Sequence, residues 1–183
     1  MRTAKVLIFL IYFLVMFPAC SSVKMNISPP FKPDSETVLI QKVPFFPQKD
    51  YQCGPDALAG VLNFWKVEET PSDIAKDIFS PSAQGTLTID MIFYAQKKGL
   101  DALQYSGDIE DLKLKISLGY PLIVLVDYGF WVYRADHFMV VLGYNDDGVI
   151  ANSGKSEKIF IKTDAFLNLW KKTNFWTLWI KPK

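Results

Sequence analysis

The sequence predicts an α+β domain, with helices in its first half and an antiparallel sheet in its second, preceded by an export leader. Three features carry this reading. Apolar residues recur three or four apart in the segments between Gly54 and Ser117. Beyond Pro121 the chain breaks into short β-rich runs separated by turn residues. The first twenty residues place two cations, Arg2 and Lys5, before an apolar run from Val6 to Phe17.

Of the 183 residues, 1–20 read as a signal peptide, since the apolar run is well short of the roughly 20 residues that a membrane-spanning helix needs. Ala19 followed by Cys20 resembles the lipobox of bacterial lipoproteins, in which cleavage precedes a cysteine that takes diacylglycerol. Cys20 is therefore the expected lipid attachment site. Phe17 stands where that motif usually has Leu, and ordinary cleavage or an uncleaved anchor are the alternatives. The chain is expected to be exported and membrane-anchored, facing the periplasm or the cell surface; by resemblance, Ser21 after the cysteine favours the outer membrane. Residues 21–37, rich in Ser, Pro and Lys, form a flexible tether, and 38–183 a single domain.

Within the domain, Leu58, Val61, Leu62 and Trp65 place one buried face on a helix from Gly54 to Trp65, with Pro55 in its first turn. Pro71 and Ser72 open a second helix through Phe79. Thr88 or Asp90 caps a third, running to about Lys98 and stopped by Gly99, and a fourth spans Ile109 to Ser117. Strands follow at Leu122–Val126, His137–Tyr144, Val149–Asn152, Lys158–Ile161 and Phe175–Ile180, with one helix at Asp164–Lys171. Asn145, Asp146, Asp147 and Gly148 are a hairpin signal, which makes the strands on either side antiparallel neighbours.

A formal charge of +1, from 20 basic and 19 acidic residues, gives no field to draw nucleic acid. The chemistry is concentrated instead in two residues. The chain has two cysteines and one histidine; if Cys20 carries lipid, Cys53 is an exported thiol without a partner. The bland alternatives are a Cys20–Cys53 disulfide or an inert buried thiol. Cys53 sits where a loop meets the first helix, and a helix N-terminus favours the thiolate. Asp56, in the same turn, opposes it. Activation then leans on His137, which reaches a cleft from a strand end as general base. A third polar group must hold the imidazole. Asn152, on the neighbouring strand, is the expected partner, ahead of Asp136, whose side chain points to the other face. Gln48 or Gln52 can donate to an oxyanion beside the Cys53 N–H. One Cys and one His do not complete a tetrahedral metal site, so no metal or organic cofactor is expected. Trp131 and Tyr133 either line a peptide cleft or cover a sheet edge.

The segments PQKDYQCGPDAL, DHFMVVLGY and IANSG together resemble the bacteriocin-processing, or double-glycine, cysteine peptidases and their stand-alone exported relatives, which have the papain-like fold. The resemblance runs from about Val43 to Gly154. It implies Cys53 as nucleophile, His137 as base, Asn152 where that family usually has Asp before Pro, and Gln48 in the oxyanion hole. The sequence departs from the pattern in three places: Gln48 is five rather than six positions before the cysteine, Gln52 replaces the preceding Asp, and Ser153 replaces the Pro. The expected function is peptide-bond hydrolysis through an acyl-enzyme, on a peptide or protein substrate. An inactive peptide-binding module of the same fold, or an acyltransferase using the same dyad, are the alternatives. Substrate specificity and oligomeric state are not encoded in any motif of the chain.

Overall fold

The computed structural model describes residues 36–48 and 51–183. The expected leader with Cys20, and all of the expected tether but its last two residues, lie outside the described residues. In chain order the elements are β1 (Val38–Leu39), α1 (Cys53–Phe64), α2 (Pro71–Ile78), β2 (Phe79–Ser80), β3 (Gly85–Thr86), α3 (Thr88–Lys97), β4 (Asp101–Ser106) and α4 (Ile109–Ser117). Then come β5 (Leu122–Asp127), β6 (Asp136–Tyr144), β7 (Gly148–Ser153), β8 (Ser156–Lys162), α5 (Thr163–Trp170) and β9 (Trp176–Lys181).

The strands of the second half, with β4, build one antiparallel sheet in the order β4-β9-β5-β6-β7-β8, and β1 adds to β6. β2 and β3 form a separate small hairpin. The β6–β7 turn is the one the sequence signals. Asn145 Oδ1 accepts from the N–H groups of Asp147 and Gly148, both at 3.0 Å, and Asn145 N–H donates to Gly148 O. The short polar side chain thereby replaces backbone partners in the turn.

α1 is the pillar of the domain. It packs on β6 and β5 on one side and on α2, α3 and β3 on the other. Every residue from Gly54 to Leu62 is therefore buried, not only the predicted face. Leu58, Val61 and Leu62 are wholly inaccessible, each contributing about 1.5–3 kcal/mol of burial. Trp65 closes the helix by donating Nε1–H to Ile180 O at 3.0 Å, which ties α1 to β9. Helix ends follow the expected chemistry at α2, where Thr70 Oγ1 accepts from Asp73 N–H, and at α4, where Asp108 Oδ1 accepts from Asp111 N–H. Thr88 and Asp90 do not cap α3: Leu87 occupies the cap position, without a side-chain bond.

Candidate active site

Cys53 is the first residue of α1, and its thiol has no disulfide partner among the described residues. His137 is the second residue of β6, opposite Val126 of β5. The two side chains line one cleft of about 820 Å³, together with Gln48, Tyr51 and Thr86. The backbone N–H of Phe138, next to His137, reaches the Cys53 sulfur, so the helix start is clamped to β6 at this point. Gly54 makes the clamp possible from the other side. A Cβ there would lie 2.7 Å from Thr86 Cβ, so only glycine lets β3 close on the helix beside the sulfur.

The electrostatics do not favour a preformed ion pair. Burial pushes the Cys53 thiol above its ordinary range and the Asp56 carboxylate adds to this, while the Phe138 and Gly54 N–H groups pull the other way. Burial also depresses the His137 imidazole to about 4. The resting site at neutral pH therefore holds a thiol and a neutral imidazole.

The imidazole is held by Ser153, not by Asn152 as the sequence led us to expect. His137 Nε2 and Ser153 Oγ are 2.9 Å apart. The Ser153 hydroxyl also reaches the Tyr128 phenol, whose ring centroid lies 5.7 Å from that of His137. Register explains the exchange. Asn152 pairs with Val140, three positions from His137, and alternation puts residues an odd number apart on opposite faces. Ser153, one step further, falls on the histidine side. A bulge gives Asn152 other work. Between Ala151↔Ile159 and Ser153↔Ser156 the β8 strand has an extra residue, Lys158 turns to φ 51°, and Asn152 Oδ1 accepts the displaced Lys158 N–H at 2.9 Å. Asn152 Nδ2 is buried with no hydrogen-bond partner among the described residues.

Gln48 and Gln52 separate clearly. Gln48 lines the cleft with Cys53 and also a small recess beneath it, and its N–H donates to Gly154 O at 2.9 Å, which seats it beside Ser153. Gln52 is the cap residue of α1 with its Oε1 buried, and does not line the cleft. Asp136 turns its carboxylate to Arg134, with both oxygens 3.0 Å from Nη2. Trp131 and Tyr133 stand outside the cleft, exposed on the β5–β6 loop.

A family model described as Peptidase_C39 like family matches residues 40–177. The chain belongs to this family. Among solved structures, the C39 chain resembles the peptidase domain of Streptococcus ComA, a bi-functional ABC transporter involved in quorum sensing, with TM-score 0.66 and 24% identity over 78% of this chain and 100% of that one. It also resembles a double-glycine-motif protease from an AMS/PCAT transporter, solved with its leader peptide, with TM-score 0.64 and 23% identity over 78% of this chain and 93% of that one. An uncharacterized protein of Methanothermobacter thermautotrophicus is 28% identical over 130 residues, 71% of this chain and 84% of that protein. The expected papain-like α+β fold and the double-glycine peptidase resemblance both hold.

Proposed function

We propose that this C39-family domain is an exported cysteine peptidase with Cys53 as nucleophile and His137 as general base. The observation that carries the proposal is that the thiol at the start of α1 and the chain's single histidine line one open cleft. With Nε2–H donating to Ser153 Oγ, Nδ1 is left with its lone pair for the thiol. As the sulfur attacks the scissile carbonyl carbon, Nδ1 takes its proton and the carbonyl π electrons move to oxygen. The Cys53 N–H and the Gln48 amide stabilise that oxyanion. Collapse of the intermediate breaks the C–N bond, and the imidazolium passes its proton to the leaving amine. Water then hydrolyses the thioester, with the same nitrogen as base. The substrate we propose for the cleft is an extended peptide, a reading supported by the leader peptide bound to the relative from the AMS/PCAT transporter.

A second reading, a peptide-binding module without turnover, draws on the neutral resting pair and on a hydroxyl where a carboxylate would hold the imidazole. Incubation of the full chain with a degenerate peptide mixture, followed by mass spectrometry, separates the two. Cleavage lost in both Cys53→Ala and His137→Ala is the expected result. Retained affinity with no cleavage by the unaltered protein would favour the binder, and amide products formed with added amines would favour an acyltransferase.

A further inference from the structure

The least expected surface of this domain is the tip of the β5–β6 loop. Phe130, Trp131, Val132 and Tyr133 are 87%, 92%, 82% and 74% exposed, four consecutive apolar side chains in water. Scattered exposed leucines elsewhere are ordinary; a contiguous run is not.

The loop base is rigidly built. Asp127 Oδ1 accepts from Gly129 N–H at 2.7 Å and from Ala135 N–H at 2.8 Å. Lys172 Nζ donates to the carbonyls of Asp127 and Gly129, and Tyr128 N–H closes the neck by donating to Ala135 O. A Cβ at Gly129 would lie 1.9 Å from Tyr133 O, so the neck is as narrow as a glycine permits. Trp131 is held at φ 57°, a conformation uncommon for a bulky residue outside an imposed turn.

We propose that this tip inserts into a lipid interface. The tip is a convex protrusion, whereas a peptide segment is usually met by a groove or a strand edge. Its composition is that of an interfacial anchor, with Trp and Tyr beside Phe and Val. Arg134, its side chain 64% exposed but ion-paired with Asp136, follows directly, and Lys171 and Lys172 are exposed at the turn packed on the loop base, so the border of the tip keeps a net positive charge for anionic headgroups. On the expected reading of the leader, the chain preceding the domain brings a membrane within short range, through a lipid on Cys20 or, in an uncleaved chain, through the apolar run Val6–Phe17.

Reach is sufficient. The domain begins beside Tyr144, at the opposite end of β6 from the loop. The nine residues of β6 span about 30 Å, while a tether of roughly 17 residues extends to about 55–60 Å. An anchored chain can therefore lay its loop on the same bilayer. Because Arg134 lines the cleft, that posture turns the cleft mouth toward the membrane surface.

Trp131 is a built-in probe. Of the five tryptophans it alone is exposed. The full chain would be placed on vesicles of three parts phosphatidylethanolamine to one part phosphatidylglycerol, with and without brominated acyl chains. Tryptophan emission is expected to be quenched by the brominated lipid, and Trp131→Phe to lose the greater part of that quenching while staying on the vesicle through its N-terminal segment. Amide exchange at residues 129–133 is expected to slow on vesicles. Unquenched emission, or quenching unchanged in Trp131→Phe, would overturn the proposal. So would protection of the loop by added peptide without lipid, which would make the tip a peptide-docking surface.

Discussion

Replacing Ser153 by Asp tests the site where it departs most from a carboxylate-held dyad. In the native arrangement a hydroxyl 2.9 Å from His137 Nε2 is the imidazole's only hydrogen-bond partner among the described residues. Burial therefore goes uncompensated, and the imidazole is held near 4. A carboxylate at the same position adds an opposite charge at contact distance, which shifts a partner by about 1–3 pH units. The variant imidazole should then titrate between about 5 and 7, each unit corresponding to about 1.4 kcal/mol. Because the chain holds one histidine, the Cε1–H resonance in a 13C-edited NMR titration reads this directly. The expected series is a midpoint of about 4 for the native protein, higher in Ser153→Asp and little changed in Asn152→Asp. A native midpoint near 6.5, or a shift produced by Asn152→Asp and not by Ser153→Asp, would refute the assignment.

The depressed imidazole also makes stability depend on pH. The unfolded chain takes up a proton below about 6.5, the folded one only near 4, so stability falls as pH drops through that window, by about 3 kcal/mol in all. Urea unfolding of the native protein at pH 7 and pH 4.5 should show this loss, and His137→Gln should lack it. Gly54→Ala puts a Cβ 2.7 Å from Thr86 Cβ and 2.8 Å from its Oγ1 and is expected to cost about 1–3 kcal/mol by overpacking, with partial recovery in a Gly54→Ala, Thr86→Gly double variant measured by denaturation. Ser153→Ala leaves a buried ring N–H without its acceptor, at about 1–3 kcal/mol, and should lower kcat/KM by roughly 5- to 150-fold. Asn152→Ala should weaken folding at the β7–β8 bulge without moving the pH profile of kcat/KM.

Much of the fold was legible because the signals are local. The four helices of the first half and the strands β5 to β9 follow from period, caps and the Asn145–Gly148 turn, with bounds off by a residue or two. β4 escaped because Asp101–Ser106 is an edge strand with Leu103 turned to solvent, so its alternation carries no apolar face. β2 and β3 are too short to leave a pattern. At the site, Cys53 and His137 could be paired because the chain offers one histidine and one cysteine at a helix start. The third group could not be read correctly. Asn152 and Ser153 are adjacent, and which of them faces the imidazole is decided by strand register and by the Lys158 bulge, both of which are long-range properties. Ser153 had registered in the sequence only as a departure from a family pattern. The inward-facing hydroxyl of Tyr128 carried no signal at all.

The assignment of Cys53 as nucleophile is tested most directly by intact-mass analysis of the full chain after brief reaction with a peptidyl chloromethyl ketone, followed by mapping of the adduct. One adduct per chain is predicted, on Cys53, slowed strongly in His137→Ala. A reagent bound to Ser153, or a chain that stays unmodified while free cysteine in the same tube reacts, would contradict it.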